Sequence, residues 1–261
     1  MVFFLEFWQF TYKQAYACLF GGVLLAVILV TRYFEVPFFH RYDIIFLSAI
    51  LIQVFLVVSR LETRNEIAMV AVFHVIATGM ELFKTSPGVG SWVYPEAHHA
   101  FFHVMSVPLF SGFLYSAVGS YLARVWRIFR FRFTHYPSLP VTFIFALLVY
   151  VNFFTHHFLP DFRIALFIFA GILYWKTKIF FTITAKERSM PLLFGFLLVS
   201  LFIWFAENIG TFASVWLYPF QIEGWRVVPF QKLGAWYLLM MVSFVLISLN
   251  HRKTIYYRKT V

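Results

Sequence analysis

The chain has 261 residues, of which 62% are hydrophobic and 12% charged, with a mean hydropathy of +0.80. A soluble domain carries roughly 25% charged residues, so composition excludes an ordinary soluble domain and places the chain in the membrane class. The net charge of +10 reads as membrane topology and not nucleic-acid affinity, and the single cysteine, Cys18, excludes an internal disulfide or a Cys-based zinc cluster.

The first apolar window, 14–31, holds Cys18. Lys13 follows an aromatic stretch and no small-residue cleavage site comes after the window, so it reads as a retained helix and not a removed signal. Further windows follow at 43–59, 66–82, 104–123, 141–158, 163–182, 191–208 and 233–250. Pro140 and Pro191 precede two of them, where proline suits the first helical turn. The expected fold is all-α: a polytopic transmembrane helical bundle of about eight spans, forming a single transmembrane domain over residues 1–261.

Charge supports that count. Of the 21 Lys and Arg, only Arg32, Arg41, Lys84, Arg163, Arg226 and Lys232 fall on one side. The rest gather at Lys13, at the loops near 60–65, 124–140 and 183–190, at Lys176 and Lys178, and at Arg252, Lys253, Arg258 and Lys259. The basic side is expected to be cytoplasmic, with both termini inside. The Arg124, Arg127, Arg130 and Arg132 group is expected to meet anionic headgroups.

A drifted duplication runs through the chain. Glu81, Thr85, Trp92, Tyr94, Pro95, Val107, Pro108, Gly112 and Tyr115 recur as Glu207, Thr211, Trp216, Tyr218, Pro219, Val228, Pro229, Gly234 and Tyr237. The shared pattern is a helix-ending Glu, a Thr four later, W-x-Y-P, then V-P before the next helix. The offset of four spans predicts two parallel pseudo-repeats of four, about 14–125 and 141–250, and binding sites in such folds often lie between the halves. Trp and Tyr at helix ends also serve as interface anchors, and V-P as ordinary helix initiation. The glutamates differ, because an acid at the end of an apolar helix is costly unless paired or wetted, so it marks a functional site by default. The run from Leu192 to Ala206 ahead of Glu207 is apolar or glycine apart from Ser200.

Candidate acid–base residues are therefore Glu81 and Glu207, with His156 or His157. Candidate substrate contacts are Trp92, Tyr94, Trp216, Tyr218, Asn152, Asn208, Asp161 and Arg226, the last able to pair with Glu207, with Glu223 or with an anionic headgroup. His99 and His103, four apart and on one face if helical, compose a weaker metal alternative with His156 and His157 near Glu96. The plainer reading is a solvated loop and a His-capped helix end. No metal and no cofactor is expected. Gly112, Ser116 and Ser120 form a small-residue stripe that lets helices approach closely. No P-loop, G-x-S-x-G, dinucleotide or nucleic-acid motif occurs.

The stretches ELFKTSPGVGSWVYPE (Glu81–Glu96), VPLFSGFLYSAVGSYLARVWR (Val107–Arg127), VNFFTHHFLPDFR (Val151–Arg163) and LFIWFAENIGTF (Leu201–Phe212) resemble the YoaT-like bacterial membrane family. The resemblance covers most of the chain from about residue 65 onward. It implies a multi-pass bacterial inner-membrane protein and no particular activity. Glu81, Trp92, Tyr94, Asn152, His156, His157, Glu207 and Asn208 fall within its pattern; the His98, His99 and His103 cluster does not. The helix-ending acid, aromatic turn and V-P are also similar to membrane carotenoid hydratases and the small-subunit type of lycopene cyclase, which use membrane-embedded carboxylates as acids toward a polyene. There the paired acids of the cyclases have no counterpart in this chain.

The leading expectation is an enzyme acting on a lipid or isoprenoid. The alternatives are a proton-coupled secondary transporter of a small solute and a non-catalytic lipid-binding or assembly protein. Expected partners are membrane lipids and a small-molecule or lipid substrate, with no nucleic acid; a homo-oligomer is compatible with the sequence.

Overall fold

Backbone buried in hydrocarbon must satisfy its own polar groups, so long apolar runs fold as helix. The computed structural model describes residues 2–184, 186–251 and 255. Among them the helices are α1 (Val2–Ala17), α2 (Leu19–Tyr33), α3 (Arg41–Val58), α4 (Arg64–Lys84), α5 (Phe110–Phe129), α6 (Leu139–Thr155), α7 (Arg163–Tyr174), α8 (Leu192–Phe212) and α9 (Phe230–Asn250). The fold is all-α, as expected. α3, α4, α8 and α9 are each long and apolar enough to cross a membrane, and α1 with α2 makes a fifth candidate if that pair is one span, bent by 71°. Large apolar side chains point outward along these helices, among them Leu51, Val75 and Phe202, each at least two-thirds exposed. Lipid in place of water accounts for that pattern.

Three predicted spans differ in extent. The window 14–31 breaks at Cys18, between α1 and α2. The window 104–123 becomes helical only at Phe110, because His103–Val104 (β1) and Val107–Pro108 (β2) first form a tight antiparallel hairpin. The window 163–182 yields a helix of 12 residues, rising about 18 Å against a hydrocarbon core of about 30 Å. Its remainder, rich in aromatic and β-branched residues, becomes β4 (Lys178–Thr182). That strand pairs antiparallel with β3 (Arg132–Thr134) and with β5 (Glu187–Pro191). Arg252, Lys253, Arg258 and Lys259 lie outside the described residues.

Local signals set the helix starts. α4 opens on a capping box: Thr63 Oγ1 accepts from the Glu66 N–H at 3.3 Å and Glu66 Oε2 accepts from the Thr63 N–H at 2.7 Å. Pro140 sits in the first turn of α6, and Pro229 is the residue just before α9.

The chain forms two compact units. One comprises Ala15–Arg124 and Phe205–Val228. Its core includes Phe20, Leu24, Ile28, Tyr42, Ile45, Ala49 and Phe110. Asp43, in the first turn of α3, accepts backbone N–H bonds from Phe101 and Phe102 at 2.9–3.0 Å and ties down the loop after α4. The loop after α8 is held by Tyr42 Oη donating to the Val215 carbonyl at 2.6 Å and by Arg41 donating to the Ala213 carbonyl at 2.8 Å.

The other unit comprises Met1–Gln14, Val125–Trp204 and Pro229–Val261. Phe145, Tyr174, Phe196 and Phe244 are buried there, and Trp126 stacks on Phe244 and His251 with centroids 5.2 and 4.6 Å away. Lys13 donates to the carbonyls of Ile183 and Thr182, and Glu6 pairs with Arg188, so the polar groups of α1 are spent on the β4–β5 hairpin.

Candidate functional site

The two predicted acids fall in one unit, and both are buried: Glu81 is 1% and Glu207 3% exposed. Glu81 lies in the last turn of α4. Its carboxylate accepts three hydrogen bonds: from Trp92 Nε1 at 2.7 Å and Tyr94 Oη at 2.9 Å on Oε2, and from Tyr115 Oη at 2.8 Å on Oε1. Glu207, in α8, accepts from Tyr218 Oη. At both places the Tyr of W-x-Y-P thus donates to the Glu eleven or thirteen residues before it. The following Thr behaves alike too: Thr85 Oγ1 donates to the Glu81 carbonyl at 2.8 Å and Thr211 Oγ1 to the Glu207 carbonyl at 3.0 Å.

The two W-x-Y-P segments meet. Val93 and Leu217 form an antiparallel bridge, and the Trp92 ring lies edge-on to the Tyr218 ring at 6.2 Å. The Tyr218 phenol is pushed well above its ordinary pKa by burial first, then by Glu207 and by Glu81, so it stands within the field of both acids. Burial first and Glu81 second do the same to Tyr94. Both phenols therefore stay protonated and serve as donors. Lys84, one turn beyond Glu81, is also buried.

The remaining predicted contacts divide. Asn208 Oδ1 accepts from the Val228 N–H at 2.9 Å and anchors the V-P segment before α9. Trp216 lies across Gly210, where an added Cβ would stand 2.1 Å from the indole, so the site requires glycine. Arg226 is exposed, and its carbonyl accepts from Gln221 at 2.6 Å. It is not paired with Glu207.

Asn152, His156, His157 and Asp161 belong to the other unit. Asn152 bridges the α6–α7 turn, donating to Asp161 Oδ1 at 3.2 Å and accepting from the Phe162 N–H at 2.9 Å. His156 ends α6, with Nδ1 3.1 Å from the Asn152 carbonyl, and its ring lies 4.1 Å from that of His157. Burial would raise the Asp161 pKa, but bonds from the Arg163 backbone, Asn152 and the Arg163 guanidinium outweigh it and hold the carboxyl below its usual range.

Two expectations are corrected. His99 and His103 do not share a helix face: Ala97–His99 is a single 3-10 turn and His103 lies in β1. Among the described residues no group of three or more His, Cys, Asp or Glu is placed to hold a metal, and Glu96 pairs with His40 at 3.0 Å and Arg41 at 3.6 Å. Arg124 does not meet headgroups. It is 0% exposed and donates to Glu62 Oε1 at 2.9 Å, an atom that also accepts from Ser120 Oγ at 2.6 Å. Gln53 donates to Glu62 Oε2. Arg132 pairs instead with Glu187 at 2.7 Å. The small-residue stripe does bring helices together: Ser116 Oγ reaches the Val70 carbonyl at 2.9 Å, and an added Cβ on Gly112 would lie 2.8 Å from the His74 carbonyl.

Sequence reasoning missed the Glu62–Arg124 pair and Asp43. The i, i+4 continuation of the Gly112, Ser116, Ser120 stripe to Arg124 was a readable signal that this arginine faces inward.

An all-α chain with several helices long and apolar enough to span a membrane, and with two buried glutamates clasped by aromatic donors, defines the class. The chain belongs to the family described as "Protein of unknown function (DUF817)", whose model matches residues 6–244. It is similar to the "Uncharacterized protein YoaT" of Bacillus subtilis (strain 168), 39% identical over 240 residues that cover 92% of this chain and 89% of the relative. No solved structure gives a significant match.

Proposed function

We propose that this chain is a multi-pass protein of the bacterial inner membrane, its Lys/Arg-rich side and both termini cytoplasmic, that couples movement of a small solute to protonation of Glu81 and Glu207. One observation carries this reading: both carboxylates are sealed from solvent and lipid, and the two segments that seal them are bonded to each other. A catalytic acid must touch its substrate. A coupling acid must instead be enclosed in one conformation and opened in another. The pseudo-repeat supports the reading, since the centre contains one acid from each half. No nucleotide motif accompanies it, so nothing in the sequence points to an ATP-driven version.

The test is solute-dependent proton movement in proteoliposomes containing a trapped pH dye, across a panel of amino acids, sugars and organic acids. A solute that moves protons with the wild type, and not with Glu207→Gln, bears the reading out; flux indifferent to the pH gradient overturns coupling.

The second reading is acid–base catalysis on a lipid or isoprenoid. The aromatic rings of Trp92, Tyr94 and Tyr115 beside Glu81 favour it, since such rings stabilise a cationic polyene. It predicts a lipid or isoprenoid present in extracts of cells making the protein and missing from cells making Glu81→Gln/Glu207→Gln.

A further inference from the structure

We propose that α1 lies in the plane of the bilayer, in the headgroup layer on the Lys/Arg-rich side, with an aromatic face in the lipid and a basic rim that selects anionic phospholipid. The inference goes beyond the transport reading and does not depend on it. It starts from the two faces of α1. Leu5, Trp8 and Tyr12 recur at three- and four-residue spacing and so share one side of the helix, and each is more than half exposed. Phe4 and Phe7, flanking that side, are exposed as well. The charged residues point the other way. Glu6 is buried and pairs with Arg188, and Lys13 donates to the carbonyls of Thr182 and Ile183. Phe10, between them, packs on Phe129 and Phe181 with ring centroids 5.6 and 6.2 Å away. A surface helix in water turns its charges outward and its apolar stripe to the core. α1 does the reverse, so its outer face meets something apolar.

The partners of α1 set its depth, and all of them lie in its own unit. Among the described residues β5 pairs with β4 alone, and its Glu187, Arg188 and Ser189 are exposed. Hydrocarbon offers nothing to the free backbone groups of such an edge, so the β4–β5 hairpin stays at or above the headgroups. Glu6 and Lys13, about 10 Å apart along the helix axis, are both fastened to that hairpin. The segment between them is therefore held at the same level and forms no part of a span. Trp8 and Tyr12 belong to the residue types that prefer this layer. Charge chooses the lipid. The acids of the unit, Glu6, Asp161 and Glu187, are each paired with an arginine. Exposed cations border α1: Lys186 lies in the turn of the hairpin, and Arg130 follows the Phe129 on which Phe10 packs. Burial first and the Arg130 charge second lower the Lys13 pKa, which places Arg130 beside α1. An apolar face bordered by unneutralised cations suits an anionic phospholipid surface.

The experiment uses the full chain with Cys18→Ser, in vesicles of mixed phosphatidylcholine and phosphatidylglycerol. Leu5→Cys, Trp8→Cys and Tyr12→Cys each carry a nitroxide, whose collisions with oxygen and with a water-soluble nickel chelate report its depth. All three labels are expected at one shallow depth just below the phosphates. A helix that crosses the bilayer would separate the first from the last by about 10 Å and overturn the proposal. Free access of all three to the chelate would put the face in water, and loss of both reagents with spin–spin broadening would put it against a second copy; either result overturns it too. Because each label replaces a side chain of the face, the depth is read again without labels: Trp8 emission, taken as the difference from Trp8→Phe, is expected to be quenched most by lipids brominated nearest the headgroup. Spin-labelled phosphatidylglycerol is expected to contact the chain about twofold more than spin-labelled phosphatidylcholine, and Arg130→Gln/Lys186→Gln to lower that ratio. Equal contact, or a ratio that the double variant leaves unchanged, would overturn the selection of anionic lipid.

Discussion

Val93 and Leu217, the middle residues of the two W-x-Y-P segments, exchange both of their backbone hydrogen bonds: each N–H donates to the other's carbonyl at 2.9 Å. The reciprocal pair is what brings Trp92, Tyr94 and Tyr218 to one place and sets both glutamates under a common cover. It also ties the energetics of the two acids together, because disturbing one segment moves the other.

That coupling is measurable. Tyr94→Phe removes one donor from the Glu81 carboxylate and Tyr218→Phe the donor to Glu207. Each loss of a bond to a charged group is expected to cost about 1.5–3 kcal/mol. The double variant is expected to depart from additivity by about 0.5 kcal/mol or more. Denaturation of the four proteins in one detergent checks this, and strict additivity would show that the two acids are energetically independent.

Removing Arg124 leaves the Glu62 carboxylate buried without its cation, so Arg124→Met is expected to destabilise by about 3–5 kcal/mol. Glu62→Gln in the same chain removes the orphaned charge and is expected to recover most of the loss. Melting temperatures of the single and double variants decide it; a single variant that melts like the wild type would mean that the pair is open to water.

Much of this architecture was legible. Apolar run length gave the helices, and the recurrence of Glu, Thr and W-x-Y-P pointed to the acids and to the tyrosines that hold them. The partners were not legible. Tyr115 stands 34 residues from Glu81 and Arg124 stands 62 from Glu62, and no local pattern encodes which helix faces which. Charge misled at Arg124, because composition cannot separate an arginine at a headgroup from one paired inside a bundle. Periodicity misled at His99 and His103, because the hairpin that follows Phe102 delays α5 to Phe110. The early end of α7 was readable in hindsight from Ile179, Phe180 and Phe181, which prefer a strand.

The α6–α7 turn is expected to respond to acid. Asp161 has its pKa held below the unfolded value by Arg163 and Asn152 despite partial burial. Its contribution to stability is therefore complete above the unfolded carboxyl pKa of about 3.9 and is lost as pH falls through the lower folded value. The gap in melting temperature between the wild type and Asp161→Asn is expected to be constant above about pH 5 and to shrink steadily below about pH 4. The side chain is 32% exposed, so solvent screening keeps the effect small. A gap that widens on acidification would mean that the turn prefers the protonated acid.

Gly210 tests whether the cover over Glu207 depends on close packing. A Cβ there would stand 2.1, 2.4 and 2.8 Å from three atoms of the Trp216 ring, contacts that only movement of the indole relieves. Trp216 directly precedes Leu217, so a displaced indole pulls on the pair with Val93. Gly210→Ala is expected to destabilise by about 1–3 kcal/mol, the usual cost of overpacking, and to shift the Trp216 emission. Trp216→Ala removes the obstruction. Gly210→Ala added to that variant is expected to cost nothing and to gain up to about 1 kcal/mol, the advantage of alanine over glycine inside a helix. A full penalty in the Trp216→Ala background would place the clash elsewhere and free the second W-x-Y-P segment from dependence on the α8 backbone.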